Sequence, residues 1–137
     1  MSIQSKGKQY HHTGTMVSSC QYHIVFCPKY RREVLVGGID KRLKALILGN
    51  QKRYGYRVLD MEIMPDHVHL LLDIPAGVSP HKMAYKIKGF VSYTLRSEFP
   101  SLKAKLPSLW TRSCFISSVG AVTLEIVKRY IQNQKYA

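Results

Sequence analysis

Carboxylates are scarce in this chain of 137 residues: 8 Asp and Glu stand against 21 Lys and Arg, a formal net charge of +13. That excess calls for a polyanionic partner, with nucleic acid ahead of an anionic membrane surface. The membrane reading is weaker because the cations are spread over the whole chain rather than stacked on one amphipathic segment. No apolar run reaches transmembrane length. The polar, basic stretch from Met1 to Gly14 has no apolar h-region, which argues against a secretory signal. Cys20, Cys27 and Cys114 are odd in number and lack a C-x-x-C pattern. They suit reduced, partly buried thiols in a cytoplasmic protein and give a disulfide framework or a zinc site no support. Internal repeats, Pro/Gly/Ser-rich linkers and low-complexity tracts are also missing. The expectation is a flexible basic N-terminus over 1–14 and a single domain over 15–137, long enough to bury a core.

The periodicities within that domain give an order of elements. Cys20 to Phe26 reads as a strand stopped by Pro28, and Lys29-Tyr30-Arg31-Arg32 as a basic connection. Ile39, Leu43, Leu46, Ile47, Asn50 and Tyr54 recur at helical spacing, with Gly55 as the stop. Val58 to Met64 and His67 to Ile74 read as strands joined tightly through Pro65-Asp66, hence an antiparallel hairpin. Ser79 as N-cap and Pro80 at the first helical position open a helix that runs to about Glu98. Residues 102–107 read as irregular, Ser113 to Ser117 as a strand, Gly120 as a turn, and Thr123 to Gln134 as a last helix. The first six elements follow βαββαβ order. The predicted fold class is therefore α+β: a ferredoxin-like or RRM-like antiparallel sheet, helices on one face, and a C-terminal helix carrying catalytic residues.

His67-Val68-His69 is the most informative tripeptide. On a strand its two histidines share a face, with Cβ atoms about 7 Å apart, a spacing at which two imidazoles can converge on one divalent metal. Val68, Leu70 and Leu72 point the other way, to the helices. The histidine face is expected to stay open. In the last helix Leu124, Val127 and Ile131 form an apolar stripe, while Tyr130 and Gln134 are i, i+4 neighbours on its edge. Taken alone, such a pair is more often a core-edge tyrosine beside a frayed end.

On the helix after Pro80, Met83, Ile87, Phe90, Val91 and Thr94 form the core face. Lys82, Tyr85, Lys86, Gly89, Tyr93 and Arg96 share the other side, which suits single-stranded nucleic acid: cations for phosphates, rings for bases, a glycine for close approach. A plain solvated face is the alternative. Lys29 and Arg31 join this set of candidate DNA contacts, and Trp110 is either a stacking platform or core.

Two histidines, an amide and a tyrosine on a very basic chain suit phosphodiester cleavage through a covalent intermediate. His67 and His69, with Gln134 as candidate third ligand, would hold Mg²⁺ or Mn²⁺, and Tyr130 would be the nucleophile. The chain resembles the single-tyrosine transposases of the His-hydrophobe-His (HUH) superfamily, the IS200/IS605-type enzymes of small prokaryotic insertion sequences. The resemblance runs from Tyr22-His23-Ile24-Val25-Phe26-Cys27-Pro28-Lys29-Tyr30-Arg31 to the end of the chain. Its most specific parts are Met64-Pro65-Asp66-His67-Val68-His69-Leu70-Leu71 and Tyr130-Ile131-Gln132-Asn133-Gln134, with Lys86-Ile87-Lys88-Gly89 between them.

The resemblance implies His67, His69 and Gln134 as metal ligands and Tyr130 as nucleophile. It implies homodimers in which one subunit's tyrosine helix completes the other's metal site. It also implies single-stranded DNA with hairpin ends as the partner, 5′-phosphotyrosine links, and cleavage sites chosen by short guide sequences in the DNA. Competing readings are a domesticated relative acting on repeated palindromes, a replication or conjugation nicking enzyme, and a non-catalytic single-stranded nucleic-acid binder.

Overall fold

The computed structural model describes residues 11–13, 16–18, 20–119 and 124–137, so the predicted turn at Gly120 and helix start at Thr123 lie outside the described residues. Strands β1 (His11–Thr13) and β2 (Met16–Ser18) pair antiparallel as a short ribbon. The main sheet is built from β3 (Gln21–Phe26), β4 (Arg57–Met64), β5 (His67–Asp73) and β6 (Phe115–Ser118). Its order is β4-β5-β3-β6, and every pairing is antiparallel. The histidine strand β5 is therefore central, flanked by β3 and β4.

Helices α1 (Ile39–Gly49), α2 (Gln51–Tyr54), α3 (Pro80–Glu98), α4 (Pro100–Lys105) and α5 (Leu124–Gln132) complete the described elements. Ile24 and Phe26 of β3 and Val68, Leu70 and Leu72 of β5 supply the sheet side of the core. Leu43 and Ile47 of α1 and Met83, Ile87, Val91 and Leu95 of α3 close over them. This burial is the main driving force for the layered arrangement. The Ser79 side chain accepts from the Lys82 amide, and Pro80 stands at the first turn of α3, as the sequence predicts.

β4 departs from strict alternation. Val58 pairs with Leu72, but Asp60 pairs with Leu71, so Leu59 is an extra residue in the strand. The bulge reverses the parity of side chains on either side of it. Val58, Met61 and Ile63 can all pack on the core, while Asp60 and Glu62 fall on the histidine face.

Four local expectations need correction. The predicted helix over 39–54 is broken at Asn50, whose side-chain amide donates to the Leu46 carbonyl as α1 ends. A side-chain bond of this kind competes with the helix ladder. The predicted irregular stretch over 102–107 holds most of α4, because Pro100 favours a first turn and Leu102 anchors it in the core. The predicted strand over 113–117 is shifted to Phe115–Ser118. On α5, Val127 is buried but Leu124 is 70% exposed, so the predicted apolar stripe is only partly covered.

Candidate functional site

The turn at Pro65-Asp66 sets the position of His67. Val34 and Leu35 return beside it, and the Leu35 amide donates to the Pro65 carbonyl at 3.1 Å. Asp66 then reaches two partners. His67 Nδ1 donates to its Oδ1 at 2.8 Å, and Arg31 Nε lies 3.4 Å from its Oδ2. The Asp66 contact fixes the ring orientation through Nδ1 and leaves Nε2 as the nitrogen not engaged by Asp66, as a carboxylate does behind a metal-binding histidine. Arg31, a candidate DNA contact in the sequence, thus belongs also to the support of this histidine. It and Tyr30 carry positive φ angles of 51° and 58°, uncommon for residues other than glycine.

His69 sits on the same face, across from Glu62 of β4 and Val25 of β3. Its Nε2 lies 3.1 Å from Nδ1 of His23, and the two rings are tilted with centroids 5.2 Å apart. Burial, then the neighbouring His23, pushes the His69 imidazole down to about 4, with Glu62 opposing and His67 adding to the fall. Burial lowers His23 as well. Both rings are neutral at pH 7, the form that can ligate a metal. The sequence predicts an open face, but the structure closes part of it: His23, Val25 and Leu71 have almost no exposed surface.

The second half of the site stands at the β6 side. The Tyr130 ring packs against Phe115 with centroids 5.6 Å apart. Its hydroxyl lies 2.8 Å from Ser113 Oγ, and Ser113 Oγ donates to Gln134 Oε1 at 3.0 Å. Ser113 has one proton, so Tyr130 must be the donor in the first bond. Gln134 Nε2 donates back to the Tyr130 carbonyl at 3.3 Å. The i, i+4 pair predicted from sequence is formed, and Gln134 is buried rather than frayed.

Burial pushes the Tyr130 phenol up to about 12, with the Ser113 hydrogen bond opposing. Beneath Ser113 lies Lys88, buried, with Nζ donating to the carbonyls of Thr111 (2.8 Å) and Ser113 (2.9 Å). The Tyr30 amide donates to the Ala137 carbonyl at 3.1 Å, tying the chain beyond α5 to the turn that carries Arg31.

These two halves share a sheet face but do not meet. His69 pairs with Val25, and Val25 pairs with Phe115, so two strand spacings, about 10 Å, separate the histidine strand from the strand under Tyr130. Neither Tyr130 nor Gln134 makes a hydrogen bond to His67 or His69. Among the described residues no three His, Cys, Asp or Glu side chains gather to hold a metal. His67 and His69 are side chains of this face with nitrogens that could hold a divalent ion.

The candidate DNA contacts also divide. Tyr85 and Gly89 line a groove of about 490 Å³ with Lys88, Ser92, Trp110 and Arg112. The Tyr85 hydroxyl donates to the Arg112 carbonyl at 2.8 Å, and a Cβ added at Gly89 meets nothing within 4 Å. Lys86 turns instead to the Tyr54 ring, and Arg96 donates to the Leu106 carbonyl. Tyr93 and Lys82 are exposed, and Lys29 lies over the Tyr30 ring. Trp110 is core: its ring meets Phe26 edge-on and its Nε1 donates to the Lys88 carbonyl.

His23, Asp66 in its supporting role, Lys88 and Ser113 were missed as site residues by sequence reasoning. Only the neighbourhood of the first three, inside the family-like segments, carried a signal.

Comparison with known proteins decides the family. The model of the family described as "Transposase IS200 like" matches residues 16–134. The chain belongs to the IS200-like transposase family. It is 35% identical over 120 residues to the ISDra2 transposase TnpA of Deinococcus radiodurans, covering 86% of each chain. It is 34% identical over 118 residues to the transposase for insertion sequence element IS200 of Salmonella typhimurium, covering 85% of this chain and 77% of that one. A crystal structure of a candidate transposase from Deinococcus radiodurans R1 superposes with a TM-score of 0.84 at 30% identity. The match covers 93% of this chain and 99% of that one. A REP-associated tyrosine transposase bound to a REP hairpin shares the fold, with a TM-score of 0.54 at 13% identity over 93% of this chain and 68% of that one. No helix among the described residues is long and apolar enough to cross a membrane.

Proposed function

We propose that this transposase cuts and rejoins single-stranded DNA at insertion-sequence ends through a 5′-phosphotyrosine intermediate. The observation that carries the reading is the division of the site: a braced histidine pair on β5 and a tyrosine–glutamine pair on α5, facing the same side of one sheet. His67 and His69, with Gln134, would hold Mg²⁺ or Mn²⁺, which when bound supplies positive charge against the scissile phosphate. Tyr130 is the nucleophile. Its oxygen forms a bond to phosphorus as the bond from phosphorus to the 3′ oxygen breaks, and the proton lost by the phenol balances the one gained by the departing 3′ oxygen. A free 3′-hydroxyl can reverse the step on another strand, so the bond energy is kept and no ATP is needed.

Burial pushes the phenol up to about 12 where it stands, so Tyr130 is held protonated beside Ser113 and needs its proton removed, or its anion stabilised, as it attacks. The separation within one chain supports a homodimer in which α5 of one subunit completes the histidine pair of the other. Leu124, 70% exposed, and Ile126, 41% exposed, give α5 an apolar surface for such an exchange. The groove at Tyr85, Gly89 and Arg112 and the net charge of +13 support a nucleic-acid partner, which this reading takes to be single-stranded DNA with hairpin ends. Such a reaction belongs in the cytoplasm, where the DNA is.

The test is incubation of the protein and Mn²⁺ with labelled single-stranded DNA carrying candidate element ends, followed by a denaturing gel. An adduct that survives denaturation and vanishes in Tyr130→Phe supports the covalent mechanism. A Tyr130→Phe variant that matches the parent in every assay reduces the protein to a binder. Affinity for the same DNA should fall steeply between about 50 and 200 mM salt. A flat salt dependence removes the electrostatic part of the reading.

A further inference from the structure

We infer that His23 is a positioning residue of the histidine pair: its Nδ1 accepts the Nε2–H of His69 and so leaves His69 Nδ1 as the atom offered to the metal. The inference rests on the metal-binding reading above and adds a residue and an atom assignment to it.

Three observations carry it. The first is the contact itself, 3.1 Å between His23 Nδ1 and His69 Nε2. At this distance one nitrogen holds the proton and the other accepts it. The second is direction. His23 pairs with Leu71 on one side of the Val25–His69 pair, and His67 lies on the other side, toward Met64. His69 Nε2 is therefore aimed along the sheet away from His67. A metal shared by the two histidines has to take the other nitrogen of His69.

The third observation is a cost without structural return. His23 has no exposed surface, and its Nε2 has no hydrogen-bond partner among the described residues. A buried polar group without a partner is destabilising. A leucine there would fill similar space with neighbours such as Val25 and Leu71 and would carry no such penalty. With His69 donating, the proton of neutral His23 sits on that unpartnered Nε2, so the cost is the consequence of keeping Nδ1 as an acceptor. His67 shows the same logic with the nitrogens exchanged: Nδ1 is fixed by Asp66 and Nε2 is left for a ligand. The pair would bind asymmetrically, through Nε2 of His67 and Nδ1 of His69.

The first test needs neither metal nor DNA. Long-range ¹H–¹⁵N correlation spectra of the metal-free protein should show His69 protonated at Nε2 with Nδ1 bare. His69 protonated at Nδ1 overturns the assignment. The second test is Mn²⁺ affinity by calorimetry. His23→Leu should bind Mn²⁺ about 10–100-fold more weakly, as loss of a partner behind a ligand does elsewhere. His23→Asn keeps an acceptor near the Nδ1 position and should restore most of the affinity, which a merely space-filling role does not predict. Unchanged or tighter binding by a folded His23→Leu overturns the role. If the unaltered protein binds no Mn²⁺, the metal reading falls and the role of His23 toward a metal falls with it. The tautomer of His69 would then still report whether the His23 contact is as assigned.

Discussion

The two halves of the site are built on opposite plans. The histidine half is held from behind: Asp66 fixes His67, His23 faces His69, and the reactive side of the pair is left without a protein ligand. The tyrosine half is held from the front: the Tyr130 hydroxyl and the Gln134 carbonyl oxygen, the atoms the proposed mechanism would use, are both engaged by one serine. A strand in the middle of a sheet can present a prepared pair because the ladder on both sides fixes its backbone. A short helix near the chain end, with one buried side chain in Val127, can be repositioned at small cost.

Substitutions can sharpen that contrast, beginning with the largest effect. Tyr130→Phe should reduce covalent adduct on the order of 10⁴-fold or more, as loss of a nucleophile does in other covalent enzymes, with hairpin binding intact in a filter assay. Asp66→Asn should weaken Mn²⁺ binding about 10–100-fold by loosening His67, read by calorimetry, while leaving the Tyr130 half unaffected. Ser113→Ala removes the bonds that hold Tyr130 and Gln134 in place. If those bonds restrain release, adduct should form about 2–10-fold faster, the rate equivalent of roughly one hydrogen bond. A slower reaction would mean that Ser113 serves the active arrangement instead.

The smallest effect concerns pH. His69 is held near 4 in the folded protein against an ordinary 6.5, by burial first and His23 next. Between those values the unfolded chain binds a proton that the folded chain refuses, so stability should fall as pH drops from 6.5 toward 4. The loss from His69 is at most about 3 kcal/mol, measurable by urea unfolding at a series of pH values. Constant stability across that window would mean that His69 is not held neutral by its surroundings.

Much of this architecture was legible in the sequence because it rests on short-range rules. Ser79-Pro80 fixed the start of α3, Pro65-Asp66 fixed the hairpin, and the alternation in His67–Leu72 fixed which side faces the helices. The i, i+4 spacing of Tyr130 and Gln134 likewise survived into the structure. What sequence patterns could not supply were contacts between distant elements. His23 and His69 are 46 residues apart, Ser113 and Gln134 are 21, and Lys88 and Ser113 are 25. Each is set by sheet order and packing, and no periodicity records them. The bulge at Leu59 is of the same kind: it reconciles two apolar registers that alternation alone would place on opposite faces.

The most direct test of the account mixes two inactive variants, Tyr130→Phe with an intact histidine pair and His67→Ala with an intact tyrosine. If active sites are shared across a two-fold dimer, subunit exchange should restore covalent adduct to about a quarter of the wild-type level, since half the dimers are mixed and each holds one complete site. All of that adduct should lie on the His67→Ala chain. No adduct from the mixture, with both variants folded, exchanging and binding DNA, would contradict the division of the site between subunits.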